Sequence, residues 1–321
     1  MKLPKPLPNK ITNSVEELIP FARIRLIIAD LDGTLLDSKK MIWQDIQRLK
    51  RSISHYGVKI TIATGRTFKG IENILKQLKI QKNIPIILYN GSVVIRNGKI
   101  KPLVKKTIPL QVFNHLFNLI NIDLNVQILA YFYNEKSFTN QKSSIDNKNL
   151  EFILGWSEND RPEREFNNMF VEWLNWGEYP ISLYPSAILI NTKSQNAIKD
   201  LNKNIIKKIP DITITQSGTN FFELRPVNSN KGEAMEIICD YLKYKPEEVL
   251  AIGDNDNDSE LLFSAGIGLA VKNSSRKAME SSNFITDYDS AGGVMEALRL
   301  VKEAKRFIGD KSFKEKVWKK K

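Results

Sequence analysis

Short, near-continuous apolar runs alternate with stretches in which apolar residues return every three or four positions. IRLIIA (24–29), VKITIA (58–63) and PIILY (85–89) are near-continuously apolar, as strands covered on both faces are. Between the first two runs, Ile42, Ile46, Leu49 and Ile53 recur at helical spacing and Gly57 supplies a stop. Phe68, Ile71, Leu75 and Leu78 repeat the pattern before the third run. Strand, helix and strand in this order predict an α/β unit with a parallel sheet and right-handed crossovers. The pattern returns after residue 230, with a helix near 231–243, a strand in EVLAIGD and a short helix from about Ser259. Strands in GIGLAV and NFIT and a closing helix in GGVMEALRLVKEAKRF come next.

The segment between reads differently. GSVVIRNGKI has hairpin character around Asn97 and Gly98. A helix near 110–121, strands in VQILAYFY, SAILINT, DITITQ and FFELRP, and a helix near 194–207 are expected, with 134–160 as loop. This predicts an α+β unit inserted into the first domain. The expected organisation is an N-terminal extension (1–22), a discontinuous core (23–91 and 227–308), an inserted domain (92–226) and a basic tail (309–321).

Composition adds three points. No 18-residue apolar stretch exists and the Pro-interrupted start lacks a secretory core, so a cytoplasmic protein without a membrane span is expected. Cys239 is the one cysteine and cannot form an internal disulfide; its helix-spaced apolar neighbours suit a buried structural thiol. The net charge of +12 favours anionic partners without choosing among them. Much of the excess sits in KSFKEKVWKKK, which reads as a solvated tail.

The chemistry lies at strand ends. Asp30 and Asp32 come after the first strand, Thr64 after the second, and Asp254–Asp258 after the strand in EVLAIGD, while Lys231 opens a helix. Parallel strands bring their C-terminal ends to one edge, where sites form. Three aspartates gathered there are intolerable without a cation, and Mg²⁺ accepts such oxygen ligands. With Lys231 and the Thr64 hydroxyl, the set suits a phosphoryl group, whose transfer needs charge neutralisation and alignment. A carboxylate can also attack phosphorus itself. Other readings fail. DNDNDSE puts Ser259 where an EF-hand needs Gly and Ala265 where it needs Glu. GIGLAV lacks the third Gly of a dinucleotide turn, and no GxxxxGK[ST] is present. His55 and His115 have no metal-like partner in the pattern.

DLDGTLL, ATGRT, YNG, NKGEAM and GDNDNDSELL, in that order, resemble the haloacid dehalogenase superfamily, in particular its Cof-type phosphatases. The resemblance covers about 24–301 and implies a Rossmann-like core with an inserted α/β cap. It implies Asp30 as nucleophile, Asp32 as acid and then base, and Thr64 and Lys231 on the phosphoryl oxygens. Mg²⁺ would sit on Asp30, the Asp32 carbonyl and Asp254, with Asp258 supporting from behind. Gly33, Gly65, Arg66, Asn90 and Asn257 are the implied substrate contacts. Two departures stand out: Ser274 follows Asn273 where the family has Ala, and SAGG replaces a late Asp-Gly.

The expected function is Mg²⁺-dependent hydrolysis of a small phosphorylated metabolite, such as a sugar phosphate. A phosphotransferase or mutase would use the same aspartyl-phosphate. A basic nucleic-acid-binding protein with a secondary active site is the rival of another class; the intact acidic set speaks against it, and nucleic acid is not the expected partner. Asp32 and Asp254 disfavour a metal-free dehalogenase. The sequence leaves the oligomeric state open, and it does not say which of Tyr131, Phe132, Tyr133, Trp156, Phe170, Trp173, Trp176, Tyr179 and Tyr184 face a substrate.

Overall fold

The structure is a computed structural model that describes residues 4–8, 15–37, 39–119, 126–134, 150–158, 160–165, 169–178, 183–192, 194, 212–217 and 220–309. Residues 310–321 of the basic tail, nearly all of the helix expected at 194–207, and Tyr179 lie outside them. In chain order the elements are β1 (Lys5–Pro6), α1 (Val15–Arg23), β2 (Leu26–Ala29), α2 (Gln44–Ser54), β3 (Lys59–Ile62), α3 (Phe68–Leu78), β4 (Pro85–Leu88), β5 (Val93–Arg96), β6 (Val104–Lys105) and α4 (Leu110–Leu119). Then come β7 (Val126–Tyr133), β8 (Glu151–Trp156), β9 (Val171–Trp173), β10 (Ala187–Thr192), β11 (Ile212–Ser217), β12 (Phe221–Pro226) and α5 (Lys231–Leu242). The chain closes with β13 (Val249–Gly253), α6 (Ser259–Ser264), β14 (Ile267–Ala270), α7 (Arg276–Glu280), β15 (Phe284–Ile285) and α8 (Ser290–Gly309).

The chain divides into two compact units, one of residues 1–64, 73–87 and 230–321, the other of 65–72 and 88–229. The first is built on a parallel sheet in the order β1-β15-β14-β13-β2-β3. Leu26, Ile27 and Ile28 are all buried, so β2 is covered on both faces, as its unbroken apolar run predicts. Ala29 stands opposite Ile252 of β13 and Ile62 of β3, so the residues just past these strands share one edge. The expected extension is part of this unit. Lys5–Pro6 pairs with β15, and α1 packs on α8. Cys239 is buried, and burial with nearby acids pushes its thiol up to about 11, which makes it an inert structural residue. Among the described residues no helix is long and apolar enough to cross a membrane.

The second unit carries a six-stranded sheet in the order β11-β12-β10-β7-β8-β9, antiparallel except for the β8–β9 pair. Its core holds Trp156, Phe222, Ile188 and Ile128, with the Phe113 ring edge-on to Trp156 at 5.4 Å. Tyr131, Phe132 and Tyr133 are buried, whereas Phe170 and Tyr184 are exposed. The hairpin after β5 is longer than the Asn97–Gly98 pair suggests, since Val93 pairs with Lys105.

Strand β8 corrects the expected loop over 134–160. It opens on a charged residue, Glu151, which hid its apolar character. That carboxylate is buried and accepts from Phe68 N (2.7 Å), Lys69 N (2.8 Å) and the Tyr89 hydroxyl (2.6 Å). It thus meets two amides of the first turn of α3, donors that a helix cannot satisfy itself. Burial pushes Glu151 above its ordinary value, while these donors pull it back. Glu151→Ala removes the acceptor of one buried and two partly buried donors and is expected to cost about 1–3 kcal/mol in denaturant unfolding. Glu151→Gln, which keeps an acceptor oxygen, recovers part of that. Equal losses in the two variants would show that the carboxylate oxygens are not what holds the segment.

Candidate active site

The fold places Asp30 directly after β2 and Asp254 directly after β13, on neighbouring strands. Asp30 donates its amide to Ile252 O at 2.9 Å, which continues the ladder one residue past the strand. The chain then turns sharply. Gly33 has φ +84, and a Cβ there would run into the Asp254 carboxylate. Both the conformation and the close approach require glycine at this point. Thr34 comes back to donate its hydroxyl to Asp254 Oδ1 at 2.6 Å. The turn just after Asp30 thus fixes the second acid.

Lys231 opens α5, whose N-terminus is capped by Asn230 accepting from Glu233 N at 2.8 Å. The Lys231 side chain is fully buried, an expensive place for an ammonium unless it is paired. Its Nζ lies 2.5 Å from Asp30 Oδ1 and 2.6 Å from Asp258 Oδ1. Burial opposes its charge, but the two carboxylates outweigh burial and raise the amine above its ordinary value. Asp258 is held on its other oxygen too, where Oδ2 accepts from Asp254 N (3.0 Å) and Asn255 N (3.1 Å).

Carboxylate oxygens of Asp30, Asp254 and Asp258 lie within 4.8 Å of one another and could hold a metal ion. Their electrostatics fit one. Burial drives Asp30 well above the ordinary carboxylate range; Lys231 pulls it down, while Asp258 and Asp254 push it further up. Asp254 rises to about 6, chiefly through burial, with Asp258 and Asp32 adding to the effect and Thr34 and Lys231 opposing. One ammonium therefore does not neutralise this group of acids, and an all-oxygen donor set suits a hard cation.

The remaining sequence candidates divide between the units. In the first, Thr64 is buried two residues past β3 and donates its amide to Ile87 O at 3.0 Å. Asp32 is exposed, yet close enough for its charge to be felt at Asp254. Asn257 is half-buried in the turn before α6. Ser274 donates to Gly253 O at 3.2 Å and Ser275 to Asp256 Oδ1 at 2.6 Å, so the departures after Asn273 brace the acidic loop. In the second unit, Asn90 sits in a left-handed conformation (φ 51). Its amide nitrogen donates to both oxygens of Glu223, at 2.9 and 2.7 Å. A Cβ on Gly65 would meet that same nitrogen at 2.8 Å. Arg66 reaches Gly70 O at 3.4 Å. Arg225 holds the Asn90 carbonyl at 3.2 Å.

Sequence reasoning missed Thr34, Glu223 and Arg225. Thr34 had a signal, since it stands directly after the glycine turn. Glu223 and Arg225 looked like ordinary polar positions in a strand.

The whole arrangement spans a recognisable family pattern, and residues 27–298 match the family model of the haloacid dehalogenase-like hydrolases. The chain belongs to that family. It is 27% identical to a Bacillus subtilis 5-amino-6-(5-phospho-D-ribitylamino)uracil phosphatase, over 86% of this chain and 95% of that protein. A haloacid dehalogenase-like hydrolase from Bacteroides thetaiotaomicron superposes with a TM-score of 0.67 at 23% identity, covering 86% of this chain and 98% of that one. A HAD/COF-like hydrolase from Plasmodium vivax gives 0.70 at 20% identity, covering 90% and 99%. The structural likenesses bear out the α/β fold class with an inserted unit, and the family match makes the chain a hydrolase.

Proposed function

We propose that this hydrolase is a Mg²⁺-dependent phosphomonoesterase working in the cytoplasm on a small phosphorylated metabolite. The observation that carries the reading is the buried Asp30, held at 2.5 Å by Lys231 and set beside Asp254. Asp30 and Asp254 would hold the metal; Asp258, whose oxygens already serve Lys231 and two amides, supports them from behind. When bound, Mg²⁺ supplies the positive charge that the phosphoryl oxygens and the acids both need.

The chain's own groups do the rest. An Asp30 oxygen forms a bond to phosphorus as the ester P–O bond breaks, and Asp32 gives its proton to the departing oxygen. Water then attacks the aspartyl-phosphate, Asp32 takes a proton from it, and the Asp30 O–P bond breaks to release phosphate. Lys231 and the Thr64 hydroxyl orient the phosphoryl oxygens. Gly33, Gly65, Arg66, Asn90 and Asn257 are the substrate-side candidates. The Bacillus subtilis relative is named for a phosphorylated ribityl compound, which supports a phosphorylated sugar or polyol here.

The test is phosphate release across a panel of phosphorylated sugars, polyols and nucleotides with Mg²⁺. A sugar or polyol phosphate should lead the panel. Chelator should abolish the activity and added Mg²⁺ restore it. Undiminished hydrolysis after exhaustive chelation would remove the metal from the reading. Transfer to an added sugar in place of free phosphate would convert the hydrolase into a phosphotransferase.

A further inference from the structure

A second region of the first unit gathers charge of the opposite sign. Lys50 and Arg51 end α2, Lys59 begins β3, and Lys79 stands just after α3. These four cations line one hollow of about 200 Å³, with no carboxylate among its described lining residues. A wider hollow of about 700 Å³ is lined by Arg23, Arg25, Lys243 and Lys245, with Glu247 and Glu248. One cation of each hollow lies over the ring of Tyr244. Arg25 stacks on its ring at 4.0 Å and Lys59 Nζ lies 5.2 Å from the ring centre.

A plain explanation covers part of this. Helices of a parallel α/β unit run opposite to the strands, so their C-termini collect at the strands' N-terminal edge. Cations there are favoured by the helix dipole. Lys79 and Lys243 occupy left-handed positions just after α3 and α5 (φ 49 and 58), and Lys50 donates to Lys79 O at 2.8 Å. That account needs about one cation per helix end. It does not explain Lys59 at a strand start, or Lys245 and Arg25 beside it. Among the described residues Arg25 has an ion pair, with Glu248 at 3.2 Å, and Lys245 adds to the positive charge felt by that carboxylate. Arg51, Lys59, Lys79, Lys243 and Lys245 have no ion pair among the described residues. Crowding has a cost: burial and Lys79 lower the Lys50 amine, and burial and Arg25 lower that of Lys305.

We infer that this edge binds a run of phosphates, namely a single strand of RNA laid along the two hollows. A flat anionic membrane fits less well, because Lys50 sits half-buried at the side of a concavity, where a planar headgroup layer does not reach. A strand can enter the hollows. The exposed Tyr56, two residues from Ser54 and Val58 of the first hollow, offers a ring on which a base can stack. The site lies at the edge opposite Asp30 and Asp254, so it is separate from the hydrolase chemistry proposed above.

Fluorescence anisotropy of a labelled 20-nucleotide oligo(U) against the full chain tests this. Binding should weaken steeply with salt. Arg51→Gln/Lys79→Gln should weaken it roughly tenfold at 0.1 M salt and flatten the salt slope by about 1.4, two phosphate contacts' worth for a single strand. Lys99→Gln/Lys101→Gln removes the same charge from an exposed hairpin of the other unit and should change affinity less than about twofold, the part that long-range charge alone accounts for. Circular dichroism checks that both pairs fold. Four results overturn the inference: no RNA binding, equal loss in the two pairs, loss of all binding on deleting Lys311–Lys321, or retention on phosphatidylserine vesicles but not on RNA.

Discussion

Asp30→Asn lowers phosphate release by at least about 10³-fold, as loss of an attacking group does, while leaving the fold in place. Asparagine keeps the shape of the side chain and one acceptor oxygen for Lys231, so the contact now at 2.5 Å survives. It loses the charge that attacks phosphorus. The stability change should be small, because two effects oppose. Lys231 loses a full counter-charge, but a carboxylate that burial, Asp258 and Asp254 push well above the ordinary range is relieved of ionising there. A melting temperature close to the parent's alongside absent turnover is the expected pair of results. Asp32→Asn separates the two acids. Asp32 is exposed and outside the buried cluster, so the variant should fold normally and lose roughly 10²- to 10⁴-fold, the worth of a positioned acid and base. With an aryl phosphate, whose leaving group needs no proton, it should still form the intermediate and release a burst of phenol, then stall. Turnover near the parent's in Asp30→Asn would dispose of the nucleophile assignment; a missing burst in Asp32→Asn would leave that residue without its second role.

The parallel unit was legible because its central strands are buried on both faces and their runs are nearly all apolar. Asp30, Thr64 and Asp254 were legible for a related reason: acids and hydroxyls that end an apolar run are out of place unless something at the sheet edge uses them. Reading failed where meaning depends on a distant partner. Glu151 looks like a polar interruption until the first turn of α3, more than eighty residues earlier, is set against it. Glu223 is one charged residue in an alternating strand until Asn90 is placed on its carboxylate. Likewise Lys50, Lys79 and Lys243 are scattered helix-end cations in the sequence, and only the parallel topology brings helix C-termini and strand starts to one edge. The acidic site announces itself locally, because its carboxylates cost energy wherever they sit. The basic edge does not, because each of its cations alone is cheap.

Lys231→Met should be the most destabilising single change in the first unit. The side chain it replaces is fully buried between two carboxylates at 2.5 and 2.6 Å, and methionine fills a similar volume without charge. What remains is a buried Asp30 and Asp258 and a half-buried Asp254 with no cation among them. Removing one partner of a buried ion pair costs about 3–5 kcal/mol, which for a unit the size of the first, unfolding by itself, corresponds to a fall in Tm of roughly 6–20 °C. The pH dependence carries the diagnosis. In the parent, the Lys231 amine is raised above its ordinary value, so its contribution is complete throughout the neutral range and is lost only as pH rises beyond the unfolded lysine value. In the variant the uncompensated acids dominate. Asp30 is raised and Asp254 stands near 6 even with the lysine present; without it both rise further. A raised carboxylate favours the protonated folded state, so the variant should regain stability as pH falls and lose it as pH climbs through that range. The deficit against the parent should therefore be larger at pH 8 than at pH 5, and millimolar Mg²⁺ should narrow it at pH 8 by returning positive charge to the same oxygens. A fall in Tm that is equal at the two pH values and indifferent to Mg²⁺ would mean that lost packing, and not the missing counter-charge, accounts for the cost.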